Sequence, residues 1–259
     1  MTLIHHSKTS DRRGFTLKML EIFKDRLEKV ENILIKPNIV SHESYPTTTH
    51  PEILDTLLTK LQAHQILVAD GPAVDTRGGI IKNHDLKKVC DYHEVPILDL
   101  RKQEFVSVKS SRGFKLRISK IPLKANFVIS LPVLKVHSVC GMTCALKMQF
   151  GYLSNRERIL AHMRLKNIHK VIAELNVLTK PSFFIVDAIK TLIKAQERRH
   201  GGVEADLGSM FAGEDPVSLD CFGFELLKDL VDMKEFPEYI KLAREYGVGR
   251  MDFELKEVF

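Results

Sequence analysis

Along the first hundred residues the apolar positions switch repeatedly between a helical and a strand-like period. GFTLKMLEIFKDRLEKV, residues 14–30, places Leu17, Leu20, Ile22, Phe23, Leu27 and Val30 near helical spacing and predicts an amphipathic helix. ENILIKPN, 31–38, is a short apolar run that Pro37 ends, because proline has no N–H for a sheet ladder; it predicts a buried strand finishing in Lys36 and Asn38. THPEILDTLLTKLQAH, 49–64, opens with a threonine cap before Pro51 and carries Ile53, Leu54, Leu57, Leu58 and Leu61 on one helical face. QILVADGP predicts the next strand, GGIIKNHDLKKVCDYH another helix and VPILDL another strand. Such alternation builds a parallel sheet with helices packed on its faces.

Residues 104–121, EFVSVKSSRGFKLRISKI, alternate apolar and polar positions around SSRG and predict an accessory hairpin inserted in the α/β unit. NFVISLP resumes the buried-strand pattern, residues 140–178 read as mainly helical, and PSFFIVDA is the last clear buried strand. RRHGGVEADLG is loop-like and SMFAG a short strand. Asp215 and Pro216 open a helix, and the C-terminus is expected to fold back as helix. No repeat, low-complexity tract or linker divides the chain, so a single domain over 1–259 is expected, α/β, with a mainly parallel sheet flanked by helices.

Composition changes this picture little. The 259 residues, 44% apolar and 28% charged, suit an ordinary globular core. No apolar stretch approaches the roughly 18 residues of a membrane span, and MTLIHHSKTSDRR lacks the apolar region of a secretion signal, so a cytoplasmic location without a membrane partner is expected. Four cysteines are too few for a disulfide framework and are expected reduced. The formal charge of +6 favours anionic partners in general, but it is spread along the chain and interrupted by acids.

Chemistry gathers where the apolar strands end. Lys36 and Asn38, then Asp70, then Lys135 and His137, then Asp187 each follow a strand, and in an open parallel sheet those ends share one edge, where ligands bind. Lysine and histidine there can hold a phosphate or carboxylate, and a partly buried histidine can move protons. Lys147 is expected on a helix starting near Gly141, on the face of Cys144, and Thr48 within TTTHP offers a hydroxyl beside a helix start. His137, Cys140 and Cys144 form H-x2-C-x3-C, whose ligand types suit zinc or an iron–sulfur cluster, although buried structural thiols explain them more simply. Asp187, Asp215 and Asp220 are candidates for a divalent cation, against capping and surface roles for the latter two. GxxxxGK[ST], GxGxxG and G-x-S-x-G are all missing, which removes support for the well-known nucleotide sites and for a serine hydrolase.

ILIKPN, TTTHPEIL, LPVLKVH with ALKMQFG, FFIVDAI and AGEDPVSLD, in that order over roughly residues 31–225, resemble the family called domain of unknown function 362. The family's reaction is uncharacterised, and many members carry a ferredoxin-like cluster segment that is missing from this sequence. The resemblance marks Lys36, Pro37 and Asn38, then Thr48 and Pro51, then Lys135, His137, Lys147 and Gly151, and finally Asp187, Asp215 and Asp220. KTLIKAQERRHGG departs from the glycine–proline turn usual after FFIVDAI, and Cys140 and Cys144 lie outside the family pattern. A shorter likeness, TTTHPEIL followed by ADGP, runs to the amino-terminal domain of nickel-pincer lactate racemases.

The leading expectation is an enzyme or enzyme-like protein that binds a small anionic ligand at the C-terminal edge of its sheet. His137, Lys36 and Asp187 are the expected catalytic residues; Lys135, Lys147, Asn38, Thr48 and Asp70 are the expected ligand contacts. The alternative is a redox accessory protein holding a divalent metal or iron–sulfur cluster and docking a ferredoxin-type partner. Nucleic-acid binding through KSSRGFKLRISKIPLK, with Lys115 and Arg117, and the RERILAHMRLK helix ranks last, because no interleaved aromatic residues or recognised module accompany the basic ones.

Overall fold

A computed structural model describes residues 1–76, 79 and 81–259. The chain runs β1 (Thr2–Lys8), α1 (Arg12–Ile22), α2 (Lys24–Leu27), β2 (Asn32–Pro37), α3 (Pro51–Lys60), β3 (Gln65–Asp70), α4 (Asp85–Tyr92) and β4 (Ile97–Asp99). It continues through β5 (Phe105–Lys109), β6 (Lys115–Ser119), α5 (Lys120–Lys124), β7 (Phe127–Leu131), β8 (Lys135–His137), β9 (Gly141–Thr143), α6 (Ala145–Met148), α7 (Asn155–His162) and α8 (Ile168–Thr179). It closes with β10 (Phe183–Ile193), β11 (Val203–Gly213), α9 (Pro216–Val231), α10 (Glu238–Glu245) and β12 (Phe253–Glu257).

The main sheet has eight strands in the order β12-β1-β11-β10-β7-β2-β3-β4. β10, β7, β2, β3 and β4 pair in parallel, β11 opposes both of its neighbours, and β12 runs parallel to β1. The expected mainly parallel α/β sheet is therefore present, and β5 with β6 forms the separate hairpin.

Because strand side chains alternate between faces, the sheet has two cores. Ile33, Ile35, Val68, Ile129 and Ile185 pack on one side against the apolar stripes of α1 and α3. Leu34, Ala69, Val128, Phe184 and Val186 pack on the other, against the segments around α6, α8, α9 and α10. On α3 the predicted stripe is observed: Ile53, Leu54, Leu57 and Leu58 are at most 1% exposed, each contributing about 2 kcal/mol of transfer free energy. Thr49 is not the cap of this helix. His50 is, through its ring nitrogen and the Glu52 N–H, while the Thr49 hydroxyl donates to Leu131 O at 2.6 Å and ties the TTTHP loop to the end of β7.

Other expectations fail for physical reasons. MTLIHHSK is a strand, paired on both sides, and its irregular apolar pattern hid it. RRHGGVEADLG contains only a short turn before β11, which zips against an extended β10 in one long hairpin. The C-terminus adds α10 but ends as strand β12, whose outward residues are mostly charged because it lies at the sheet edge. The helix expected in 78–93 is α4, shorter and preceded by a single turn at 81–83; positions 78 and 80 of that expectation lie outside the described residues. The helix expected near Gly141 is a hairpin of β8 and β9 instead, for Gly141 adopts a φ of 89° that starts the return strand.

Candidate active site

A cavity of about 430 Å³ opens beyond the C-terminal ends of β2 and β3, walled by the β8–β9 hairpin, α6, the loop after it and α7. Lys36 is the penultimate residue of β2. Its Nζ donates to Asp70 Oδ1 at 2.5 Å, and both groups are almost fully buried. The other Asp70 oxygen accepts from Ile39 N at 2.6 Å, so this carboxylate clamps two neighbouring strand ends together. Burial lowers the Lys36 pKa while Asp70 opposes that shift. Gly151 lies directly over the pair: a Cβ there would come within 2.4 Å of Asp70 Oδ1 and 3.0 Å of Lys36 Nζ. The glycine of ALKMQFG is required for this close approach, which closes the cavity floor with backbone.

Three further buried cations border the cavity without a carboxylate partner. Lys135, at the start of β8, donates to the carbonyl of Thr47, and burial pushes its pKa down to about 7. Arg158 in α7 donates to the carbonyls of Gly71 (3.0 Å), Pro72 (2.7 Å), Gly151 (3.1 Å) and Leu153 (2.9 Å); burial brings it down to about 10. Lys147 in α6 is 8% exposed, and its ammonium finds no acceptor among the described residues. It rests 3.8 Å from the ring centre of Phe150, a cation–π contact, and burial, with Arg158 and Lys36 nearby, lowers it to about 8. Carbonyl dipoles and a ring face offset only part of the desolvation of three charges, so the cavity carries a positive field.

His137 ends β8 and is buried; its Nδ1 accepts from Val139 N at 3.1 Å. Burial and then Lys147 hold its pKa well below the usual value, so the ring is neutral at pH 7. Asn38 also lines the cavity, and its side-chain amide donates to Thr47 O, the same carbonyl that Lys135 uses.

Asp187 does not join this group. It lies within β10 and alternates with Ile185 and Ile189, whose side chains pack on the α1 and α3 face. There Arg12 Nε donates to it at 2.6 Å and the Tyr45 hydroxyl at 2.7 Å, and Ile189 N donates as well, so its oxygens are engaged away from the cavity. The sheet-edge argument fails here because β10 continues past the edge that β2 and β7 define. Thr48 is also turned away, its hydroxyl donating to Glu43 O at 3.0 Å.

The family model for domain of unknown function (DUF362) matches residues 33–225. The chain belongs to that family. Lys36, Asp70, Lys135, His137, Lys147, Gly151 and Arg158 all fall inside the matched DUF362 segment, so the cavity is built from the family's own portion of the chain. A relative named thylakoid-associated protein, from Synechocystis, is 25% identical over 206 residues, which cover 76% of this chain and 63% of that protein. The lactate racemase apoprotein of Thermoanaerobacterium thermosaccharolyticum superposes with a TM-score of 0.58 at 16% identity, over 88% of this chain and 57% of its own. That likeness is one of fold. The chain thus spans less than two thirds of either protein's length. No helix is long and apolar enough to cross a membrane among the described residues.

The three aspartates read as cation candidates, Asp187, Asp215 and Asp220, each have separate protein partners in this DUF362 chain. Asp215 caps α9, accepting from Val217 N and Ser218 N at 2.9 and 3.1 Å. Asp220 is buried rather than solvated, accepts from Leu146 N at 3.1 Å, and burial pushes it up to about 7. Cys140 and Cys144 are buried, near backbone carbonyls, and desolvation raises Cys140 to about 11 and Cys144 well above its ordinary value. The two sulfurs face different carbonyls, Met142 O and Leu219 O, and neither belongs to a group of three or more converging ligand atoms among the described residues. Among the described residues the side chains with converging ligand atoms are Asp75, Glu197 and His200 at the cavity mouth, and Arg199 already bridges the two carboxylates at 2.8 and 2.7 Å.

Sequence reasoning missed Arg158, His162 and Glu197, which also line the cavity. Arg158 and His162 belong to RERILAHMRLK, whose basic helical pattern suggests a nucleic-acid contact; only the tertiary placement of α7 across Gly71 turns Arg158 inward.

Proposed function

We propose that this DUF362 protein is an enzyme, or an enzyme-like protein, that binds a small carboxylate or phosphate in the cavity beyond β2 and β3. The observation that carries the reading is Lys147: a largely buried lysine whose ammonium has no acceptor among the described residues and faces a cavity whose other cations without a carboxylate, Lys135 and Arg158, have carbonyl partners. An anion there supplies the missing counter-charge and takes charge-assisted hydrogen bonds from Lys147, with Asn38 close by as a neutral contact. Lys36 and Asp70 form the floor and hold the two strand ends in register. His137, neutral and buried, offers its remaining ring N–H to the bound ligand.

A cytoplasmic location is part of this reading, in keeping with four unbridged thiols. The redox alternative, a metal or cluster carried for a ferredoxin-type partner, draws no support from the donor set described above.

A thermal-shift screen of carboxylates and phosphates tests the proposal. A ligand present at 100 times its Kd stabilises the native state by about 2.7 kcal/mol, and Lys147→Met should remove that gain while the protein stays folded. A ligand that stabilises the wild type and Lys147→Met equally would defeat the assignment.

A further inference from the structure

Three imidazoles line the cavity; His200 faces Asp75 and Glu197 at the mouth, while backbone contacts hold His137 and His162 in opposite tautomers. Val139 N donates to His137 Nδ1 at 3.1 Å; a backbone amide only donates, so Nδ1 presents its lone pair and the ring proton sits on Nε2. His162 Nδ1 lies 2.8 Å from Arg158 O; a carbonyl only accepts, so here Nδ1 carries the proton and Nε2 is the lone pair. Neither Nε2 has a protein partner among the described residues. The ring centres are 6.1 Å apart with planes inclined by 37°, and Phe150, the ring beneath Lys147, meets His162 edge-on at 5.4 Å. His137 is buried, and His162 is open to solvent at the mouth.

Burial disfavours the charged form of both rings, and Lys147 adds to this in each case. The cavity therefore holds one neutral N–H donor and one neutral acceptor beside a free ammonium. We infer that His137 and His162 act as a donor–acceptor pair that enolises a small anionic carbonyl compound whose carboxylate or phosphate group is held by Lys147. This rests on the anion reading above.

In the step, His162 Nε2 takes a proton from the carbon next to the carbonyl. The C–H electron pair becomes the C=C bond and the carbonyl π pair moves onto oxygen. His137 Nε2–H donates a hydrogen bond to that oxygen without surrendering its proton, a task for which a neutral imidazole is suited. His162, at the mouth, exchanges its new proton with solvent before returning one to carbon. No oxidant or reductant is consumed.

Two measurements test this on the intact protein. Side-chain 15N NMR without ligand should find both rings neutral at pH 7, His137 protonated on Nε2 and His162 on Nδ1; identical tautomers, or a charged ring, would overturn the pair. In D2O, proton NMR of pyruvate and of dihydroxyacetone phosphate should show loss of the α-proton signal, slowed ~100-fold or more in His162→Gln and in His137→Phe. Exchange of pyruvate alone identifies a carboxylate ligand, and of dihydroxyacetone phosphate alone a phosphate ligand. Binding of a probe to the wild type with exchange no faster than in His162→Gln overturns the pair and leaves the anion site standing. Absence of binding by both probes overturns both.

Discussion

The two faces of the sheet treat buried charge in opposite ways. On the α1 and α3 face, Asp187 is enclosed by Arg12 and Tyr45, every partner is protein, and burial with Asp187 beside it pushes the Tyr45 phenol up so that it remains a donor. On the other face, Lys135, Lys147 and Arg158 border a cavity with carbonyls and a ring face in place of carboxylates. Both regions are rich in charge and both contain residues marked by the family resemblance, yet among the described residues Asp187 has its charged partner in Arg12, whereas Lys147 has no carboxylate partner. Buried charge that protein already satisfies is structural; buried charge left open is available to a ligand.

The contrast can be broken by substitution. The largest effect belongs to the closed site: Asp187→Ala strands the Arg12 guanidinium and should cost about 3–5 kcal/mol in urea unfolding, with anion binding retained by the folded fraction. Gly151→Ala drives a Cβ into the Lys36–Asp70 pair; a loss of about 1–3 kcal/mol and weaker ligand stabilisation are expected from the same measurement.

Stability against pH sharpens the comparison further. Lys135 titrates near 7 when folded and near 10.5 when unfolded, so between those values the unfolded chain binds a proton that the native state does not. Its contribution therefore makes unliganded stability rise with pH across that window, by at most about 1.4 kcal/mol per pH unit, and flatten below it. Subtracting the profile of Lys135→Met isolates the effect; a difference that falls with pH would contradict the open-site account. Anion affinity should move the other way, weakening above about pH 8 as Lys147 loses its charge. The smallest effect is that of Lys147→Met without ligand, a neutral change or a gain of about 1 kcal/mol, since an uncompensated buried ammonium is replaced by an apolar chain.

Much of the architecture was legible because strong local signals agreed. The ILIKP run, the α3 stripe and the Asp215–Pro216 helix start each record a burial pattern or a backbone restriction that survives in three dimensions. Lys36, Asn38, Asp70, Lys135 and His137 could be brought to one place by the parallel-sheet rule, whereas the sequence places Lys147 only on a helix nearby. That rule carries no information on which face a residue occupies once its strand overruns the edge, and so it misplaced Asp187. Edge strands such as β12 left little trace, because pairing on one side needs no continuous apolar run. Arg158 and His162 were hidden for a different reason: α7 presents an ordinary polar pattern, and its role arises from contacts with segments about 90 residues earlier in the chain.

Arg158 also sets a dimension. By drawing the carbonyls of Gly71, Pro72, Gly151 and Leu153 toward one guanidinium, it fixes how far the exit of β3 stands from the approach to α7. The aperture is thereby adjustable through a single side chain: a shorter cation at that position would let the two walls separate and admit a bulkier guest without altering the floor beneath.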